Sequence, residues 1–320
     1  MRGVVLDRES FDTNDLDLTA LEATLDTWHF HEATAPGETA GRIADAEVVV
    51  SNKVVLDAAA LEQAPNLRLI AVAATGTNNV DLEAAAARGI TVCNARAYAT
   101  PSVVQHVLGV VLALTHRLPD YQAAVAGGTW GRGRQFCLLD FPIRELAGRT
   151  LAVVGWGELG RAVAGAAEAA LGMEVLVAEH RGREPRPGRA AFEACLERAD
   201  VLTLHCPLTP QTKDLIGPAE LARMKDDALL INAARGGIVD EAALAEALRT
   251  GRLGGAAVDV LTQEPPRDGN PLLEPGIPNL IVTPHIAWAS RESRQRLMDQ
   301  VAGNIRAFLE GAPRNVVTSG

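Results

Sequence analysis

Gly155-Trp156-Gly157-Glu158-Leu159-Gly160 has the spacing G-x-G-x-x-G, between an apolar run, RTLAVVG (149–155), and an alanine-rich segment of helical pattern. A strand before and a helix after are the context in which this spacing binds a dinucleotide. Gly155 permits the tight turn, Gly157 lets backbone amides approach a pyrophosphate, and Gly160 lets helix and strand pack closely. The helix N-terminus adds partial positive charge for the phosphates. A plain strand-to-helix turn is the bland alternative, and the flanks weigh against it. The next strand ends in Glu179, about 20 residues on, where a carboxylate takes the adenosine ribose hydroxyls and repels a 2′-phosphate. Arg181 and Arg183 follow and could serve a phosphate instead. NAD is the expected coenzyme, with NADP open.

Three further polar residues stand at or just beyond the ends of later strand-like runs. Arg235 follows ALLINAA, Glu264 follows AAVDVLTQ, and His285 ends NLIVTPH. In an open parallel sheet, ligands bind beyond the carboxyl ends of the strands, so all three belong near the reactive end of a coenzyme. Taken singly, Arg235 could be a surface ion pair, Glu264 a loop carboxylate and His285 a hydrogen-bonded strand-end histidine. Their joint placement after a glycine loop favours a site. Asp259, inside AAVDV, is a buried carboxylate by pattern and needs a hydrogen-bond partner.

The elements that must position these residues alternate between strand and helix almost throughout, which predicts parallel sheets with crossover helices. They fall into two series. The first holds GVVLD (3–7), EVVVSN (47–52), LRLIAVAAT (67–75) and ITVCNA (90–95), with helical stretches at Asp57–Gln63 and Asp81–Arg88, each opened by a capping Asp. Thr100-Pro101-Ser102, with proline at the first helical position, then starts a long apolar helix ending near Leu118. Residues 119–147 show little periodicity. So long an irregular stretch is uncommon unless it serves some contact. The second series runs through RTLAVVG, MEVLVAE, ADVLTLHC, ALLINA, GGAAVDV and NLIVTPH, and a helix from Ser290 to about Leu309 closes the chain.

Composition is consistent with this plan. At 320 residues, two domains are the natural prior, and 48% hydrophobic content with only 4% aromatics means cores of Ala, Val, Leu and Ile. No apolar run reaches membrane-span length, and the N-terminus reads as a strand rather than a signal peptide. Cys93, Cys137, Cys195 and Cys206 lack metal or C-x-x-C spacing, so free thiols in a reducing cytosol and no metal are expected. A net charge of -10 without a basic patch argues against nucleic acid.

The segments VVGWGELGRAVA, LHCPLTPQT, LINAARGGIVDE, AAVDVLTQEPP and TPHIAWAS together resemble the D-2-hydroxyacid dehydrogenase family over essentially the whole chain. TPSVVQH (100–106) and the approach DFPIRELAGRTLAVVG (140–155) look most like its glycerate dehydrogenase/hydroxypyruvate reductase branch. The resemblance implies two Rossmann-like parallel-sheet domains with the active site in the cleft between them. Residues 1–98, completed by 289–320, would bind substrate, and 99–288 would bind NAD. Arg235 would clamp the substrate carboxylate, His285 would act as acid and base, and Glu264 would orient and charge the imidazole. Asp259 would lie near the nicotinamide. The coenzyme would also touch Glu158 and Leu159, then Cys206, Pro207 and Thr212, and then Ala233 and Ala234 beside Arg235 and His285. Lys53 and the Ala74-Thr75-Gly76 loop would meet the substrate carboxylate, with Trp288 as a candidate wall. The 119–147 stretch would embrace a second subunit in a homodimer. Two departures leave the reaction class intact: Val103-Val104-Gln105-His106 stands where the family often has V-A-E-H, and Glu179 replaces the more usual Asp.

The resulting expectation is reduction of hydroxypyruvate or glyoxylate by NADH. Phosphite oxidation on the same trio is the enzymatic alternative. A coenzyme-sensing binding protein of the same fold, with no turnover, is the non-enzymatic one. Formate oxidation is disfavoured because such relatives carry Gln where Glu264 stands. Phosphoglycerate oxidation is disfavoured because many of those relatives carry a further C-terminal domain.

Overall fold

Short apolar runs between polar turns become the strands of two parallel sheets. The computed structural model describes residues 1–317. Its first sheet comprises β1 (Arg2–Val5), β2 (Thr27–Phe30), β3 (Val48–Ser51), β4 (Leu69–Val72) and β5 (Thr91–Cys93), ordered β2-β1-β3-β4-β5. Its second comprises β6 (Thr150–Val154), β7 (Glu174–Val177), β8 (Val201–Leu204), β9 (Leu229–Asn232), β10 (Gly255–Val258) and β11 (Leu280–Val282), ordered β11-β10-β9-β8-β6-β7. Every strand pairing is parallel. The chain divides into two units, residues 1–99 with the chain from Trp288 onward, and residues 100–287.

In the first unit, Val4, Val49, Ile70 and Val92 face one apolar cluster, while Val48, Val50 and Leu69 face another that includes Leu297, Val301 and Ile305 of the last helix, Arg291–Leu309. These side chains are at most 1% exposed, and each contributes about 1.5–3 kcal/mol by leaving water. The second unit packs Leu202, Leu230 and Ala256 against the helices Phe192–Arg198 and Glu241–Arg249. Asp57, Asp81, Asp240 and Ser290 each accept a backbone N–H at a helix start, so the expected caps at Asp57 and Asp81 form.

Four details differ from the sequence expectation. β2 is not among the four strands predicted for the first series, because Thr-Trp-His-Phe at a sheet edge is half exposed and has no apolar run. Gly3 makes room for it: a Cβ there would stand 2.6 Å from the Trp28 ring. The long helix runs from Thr100 to Thr115, so Pro101 is its second residue, and Arg117 breaks the chain at a φ of 53°. The 119–147 stretch is not irregular throughout, since Leu118–Ala126 is helical with a proline in its first turn. Beyond it the chain folds on itself: the Tyr121 hydroxyl donates to the Phe141 carbonyl at 2.7 Å, and Trp130 Nε1 donates to that of Phe136 at 2.9 Å.

Candidate active site

A cavity of about 470 Å3 opens at the carboxyl ends of β6, β7 and β8. Gly155, Gly157, Cys206, Pro207 and Thr212 line it, together with Glu179. Gly155 has a φ of 98°, and a Cβ there would lie 2.5 Å from the Cys206 amide nitrogen. A Cβ at Gly160 would lie 2.1 Å from the Gly155 carbonyl oxygen, so that glycine brings helix Glu158–Leu171 down onto the loop. Gly157 is different: a Cβ there would meet nothing within 4 Å. Two of the glycines are therefore needed for packing, and the middle one keeps space open at a helix N-terminus, where N–H groups lack helical partners. Glu158 and Leu159 follow on the first turn outside the lining, and the Thr100 hydroxyl donates to the Glu158 carboxylate.

The lining also holds His205, which no sequence motif marks. His205 donates to or accepts from the Thr203 hydroxyl through Nε2 at 3.0 Å, while its buried Nδ1 has no hydrogen-bond partner among the described residues. Burial pushes its pKa down to about 4, so the ring is neutral at pH 7. The space left open by Gly157 at a helix N-terminus, within this lining, fits a phosphate-bearing ligand. Burial also holds the Cys206 thiol up at about 11, which leaves it protonated. The Thr212 hydroxyl donates to the Pro207 carbonyl at 2.6 Å and accepts the Thr209 N–H at 2.7 Å, closing that turn.

At the end of β7, Glu179 is buried, and its carboxylate is already engaged. Arg186 donates to it twice, from Nε at 2.6 Å and Nη2 at 2.7 Å. His180 adds its N–H at 2.9 Å and its Nδ1 at 2.7 Å. The Arg186 guanidinium, above all, holds the carboxyl well below the usual range.

The ends of β9, β10 and β11 carry the polar trio. Asn232 shapes the first of these ends: its amide donates to the Arg235 carbonyl at 3.0 Å, and its side-chain oxygen accepts the Ala234 N–H at 3.1 Å. Arg235 is exposed, and its Nη1 donates to the Ala234 carbonyl at 2.7 Å. Ala233 and Ala234 form the short link between strand and arginine. The glycines after it answer to sterics rather than flexibility. A Cβ at Gly236 would overlap the Leu261 carbonyl oxygen at 1.9 Å, and Gly237 has a φ of 78°.

Glu264 bridges two of the loops. Its Oε1 accepts the Leu261 N–H at 2.8 Å, and its Oε2 lies 2.7 Å from His285 Nδ1. His285 has a φ of 57°, a conformation that non-glycine residues hold only where the surroundings impose it. Asp259 imposes it here. Its carbonyl accepts the His285 N–H at 2.8 Å, and its buried carboxylate accepts the N–H groups of Ile286 and Ala287 and the Thr283 hydroxyl at 2.6 Å. Asp259 thus finds the partners its burial requires, in the turn that carries the histidine. His106 Nε2, on the long helix, lies 3.9 Å from the same carboxylate.

In the first unit, Lys53 follows β3 and donates its backbone N–H to Asp7 at 2.6 Å. Thr75 is exposed, and its carbonyl accepts from Asn94 Nδ2 at 2.7 Å; Gly76 follows it. Trp288 meets Tyr98 edge-on at 6.3 Å and packs against the apolar cluster of this unit.

Residues 108–287 match the D-isomer specific 2-hydroxyacid dehydrogenase NAD binding domain. The chain is similar to glycerate dehydrogenase of Methylorubrum extorquens, with 49% identity covering 94% of this chain and 97% of that protein. It is similar to hydroxypyruvate reductase of Blautia hydrogenotrophica, with 37% identity over 99% of each chain. Among solved structures, the TT0316 protein of Thermus thermophilus superposes with a TM-score of 0.87 at 36% identity, over 99% of this chain and 100% of that one.

Proposed function

Because the chain belongs to the D-isomer specific 2-hydroxyacid dehydrogenase family, we propose that it reduces a small 2-keto acid, hydroxypyruvate or glyoxylate, to the D-2-hydroxy acid with NADH. The observation that carries the reading is the 2.7 Å pair between His285 Nδ1 and Glu264, on a turn that Asp259 holds at positive φ. The names of the relatives support the substrate class.

The coenzyme, when bound, supplies the hydride that reaches the carbonyl carbon. With Nδ1 committed to Glu264, His285 presents the other ring nitrogen to the carbonyl oxygen and gives it a proton. Glu264 orients the imidazole for this donation, and the Leu261 amide keeps Glu264 in place. Arg235 offers a planar two-pronged donor to the substrate carboxylate. Lys53 and the Thr75-Gly76 turn belong to the same reading as further carboxylate contacts, and Trp288 as a pocket wall.

Two further assignments accompany it. The segment after Arg117 presents Trp130, Phe136, Leu139 and Ile143 to solvent, with Phe136 87% exposed, and we assign it to a homodimer interface. Light scattering should give about twice the 33.8 kDa chain mass. Four free cysteines are consistent with a reducing cytosol.

The decisive experiment is His285→Ala assayed with hydroxypyruvate. Turnover should fall by roughly 10² to 10⁴ while NADH binding, followed by fluorescence, is retained. A near-normal rate in a folded variant overturns the assignment.

A further inference from the structure

We propose that Ser102 and His106, on the first two turns of the long helix Thr100–Thr115, are positioning residues for the reaction. They hold the turn 283–287 that carries His285, and turnover depends on them through that histidine. This rests on the reading of His285 as the acid and base.

The turn is restrained by two kinds of group. Asp259 supplies acceptors: its carbonyl takes the His285 N–H, and its carboxylate takes the N–H groups of Ile286 and Ala287 and the Thr283 hydroxyl. An acceptor can hold N–H and O–H groups, never a carbonyl. The helix supplies the missing donors. Ser102 Oγ donates to the Ala287 carbonyl at 2.8 Å, so Ala287 is gripped at both its N–H and its C=O. His106 Nε2 lies 3.5 Å from the Thr283 hydroxyl oxygen and 3.9 Å from the Asp259 carboxylate. A hydroxyl has one proton, and that of Thr283 is committed to Asp259 at 2.6 Å. Its oxygen can therefore only accept from His106, which places a proton on Nε2.

Ser102 and His106 are four residues apart and so share one face of the helix. Val103 and Val107, the next residue in each case, are 5% and 1% exposed and supply the apolar packing. Packing alone would be served by apolar side chains at 102 and 106 as well. Polar ones, both directed at the same short turn, have a use in placing it. The need for them lies in the backbone, because a φ of 57° at His285 persists only where the surroundings impose it. The 2.7 Å contact of its Nδ1 with Glu264 is only as well placed as the turn itself. The segment TPSVVQH thereby gains a task besides starting a helix.

The test is a double-mutant cycle on kcat, with the better of hydroxypyruvate and glyoxylate, alongside NADH dissociation constants from fluorescence. Ser102→Ala with His106→Leu should lower kcat by roughly tenfold to a hundredfold, the scale of a misplaced reacting group, and leave NADH affinity within about threefold. In the His285→Ala background the same pair should change kcat by less than about threefold, because groups acting through one side chain are not additive. His106→Gln, which keeps an N–H donor near the place of Nε2, should retain most of what His106→Leu loses. A near-normal kcat in the folded double variant overturns the proposal. So does an equal loss with and without His285, or a loss of NADH affinity as large as that of kcat. Should the double variant not fold, Ser102→Ala alone is taken through the same cycle, and an unchanged kcat or an equal loss without His285 overturns the proposal. A near-normal rate in His285→Ala itself would instead overturn the reading of the histidine, and this proposal with it.

Discussion

The two sheets share a topology and treat the same point of it in opposite ways. In each, the chain leaves the first strand for one neighbour and then crosses to the other side, from β1 to β2 and β3, and from β6 to β7 and β8. The carboxyl end of that junction is where open sheets bind ligands. In the first unit the chain fills the place itself. The buried Asp7 carboxylate accepts the N–H groups of Asn52 at 2.9 Å and Lys53 at 2.6 Å, and Asn52 Nδ2 donates to Ser10 Oγ at 3.0 Å. In the second unit the same place holds Gly157, open space and the orphaned Nδ1 of His205. Architecture makes two crevices, and loop chemistry decides which one has room for a dinucleotide.

The comparison is most easily broken at Gly157. Its backbone, φ −81° and ψ −160°, suits any residue, so Gly157→Val should fold with a near-normal melting temperature. The side chain would enter the space meant for phosphate, and NADH affinity should fall on the order of tenfold to a hundredfold. Unchanged binding by titration would mean that the open junction is not the coenzyme site.

Asp7→Ala is the converse. It strands two backbone donors, so stability should drop by about 1–3 kcal/mol in urea unfolding, with the affinity for NADH unchanged. A folded variant that loses coenzyme instead would undo the contrast between the junctions.

The smallest effect concerns His205, whose folded pKa of about 4 lies below the ordinary value of 6.5. Between those values the unfolded chain holds a proton that the folded one does not. This contribution to stability is therefore complete above pH 6.5 and is lost as the pH falls toward 4. His205→Gln should flatten the fall in melting temperature over that window, by a slope of at most about 1.4 kcal/mol per pH unit. An unaltered slope would mean that the ring is hydrated.

The glycine loop, the order of alternating elements and the trio at the strand ends were legible because each depends on local spacing. Strand β2 was not, because an exposed edge needs no apolar run. Nor were Asp7 and His205, whose significance lies in partners met or missed across loops far apart in sequence. The contact of Arg186 with Glu179, seven residues before it, is not legible, because a folded loop rather than a periodic element brings the two together. Asp259 was legible as a buried carboxylate, but the turn it restrains is set by the positive φ of His285, which sequence does not display.

Gly236 has a consequence for how this pocket can change. Its backbone lies directly on that of Leu261, and the Leu261 amide in turn holds Glu264. The arginine loop and the glutamate loop are therefore interlocked, and a change of length or bulk in one is felt by the other. Such a pair diversifies jointly or not at all. A graft of loops from a relative, made to alter substrate range, would have to carry residues 235–237 and 261–264 as one cassette.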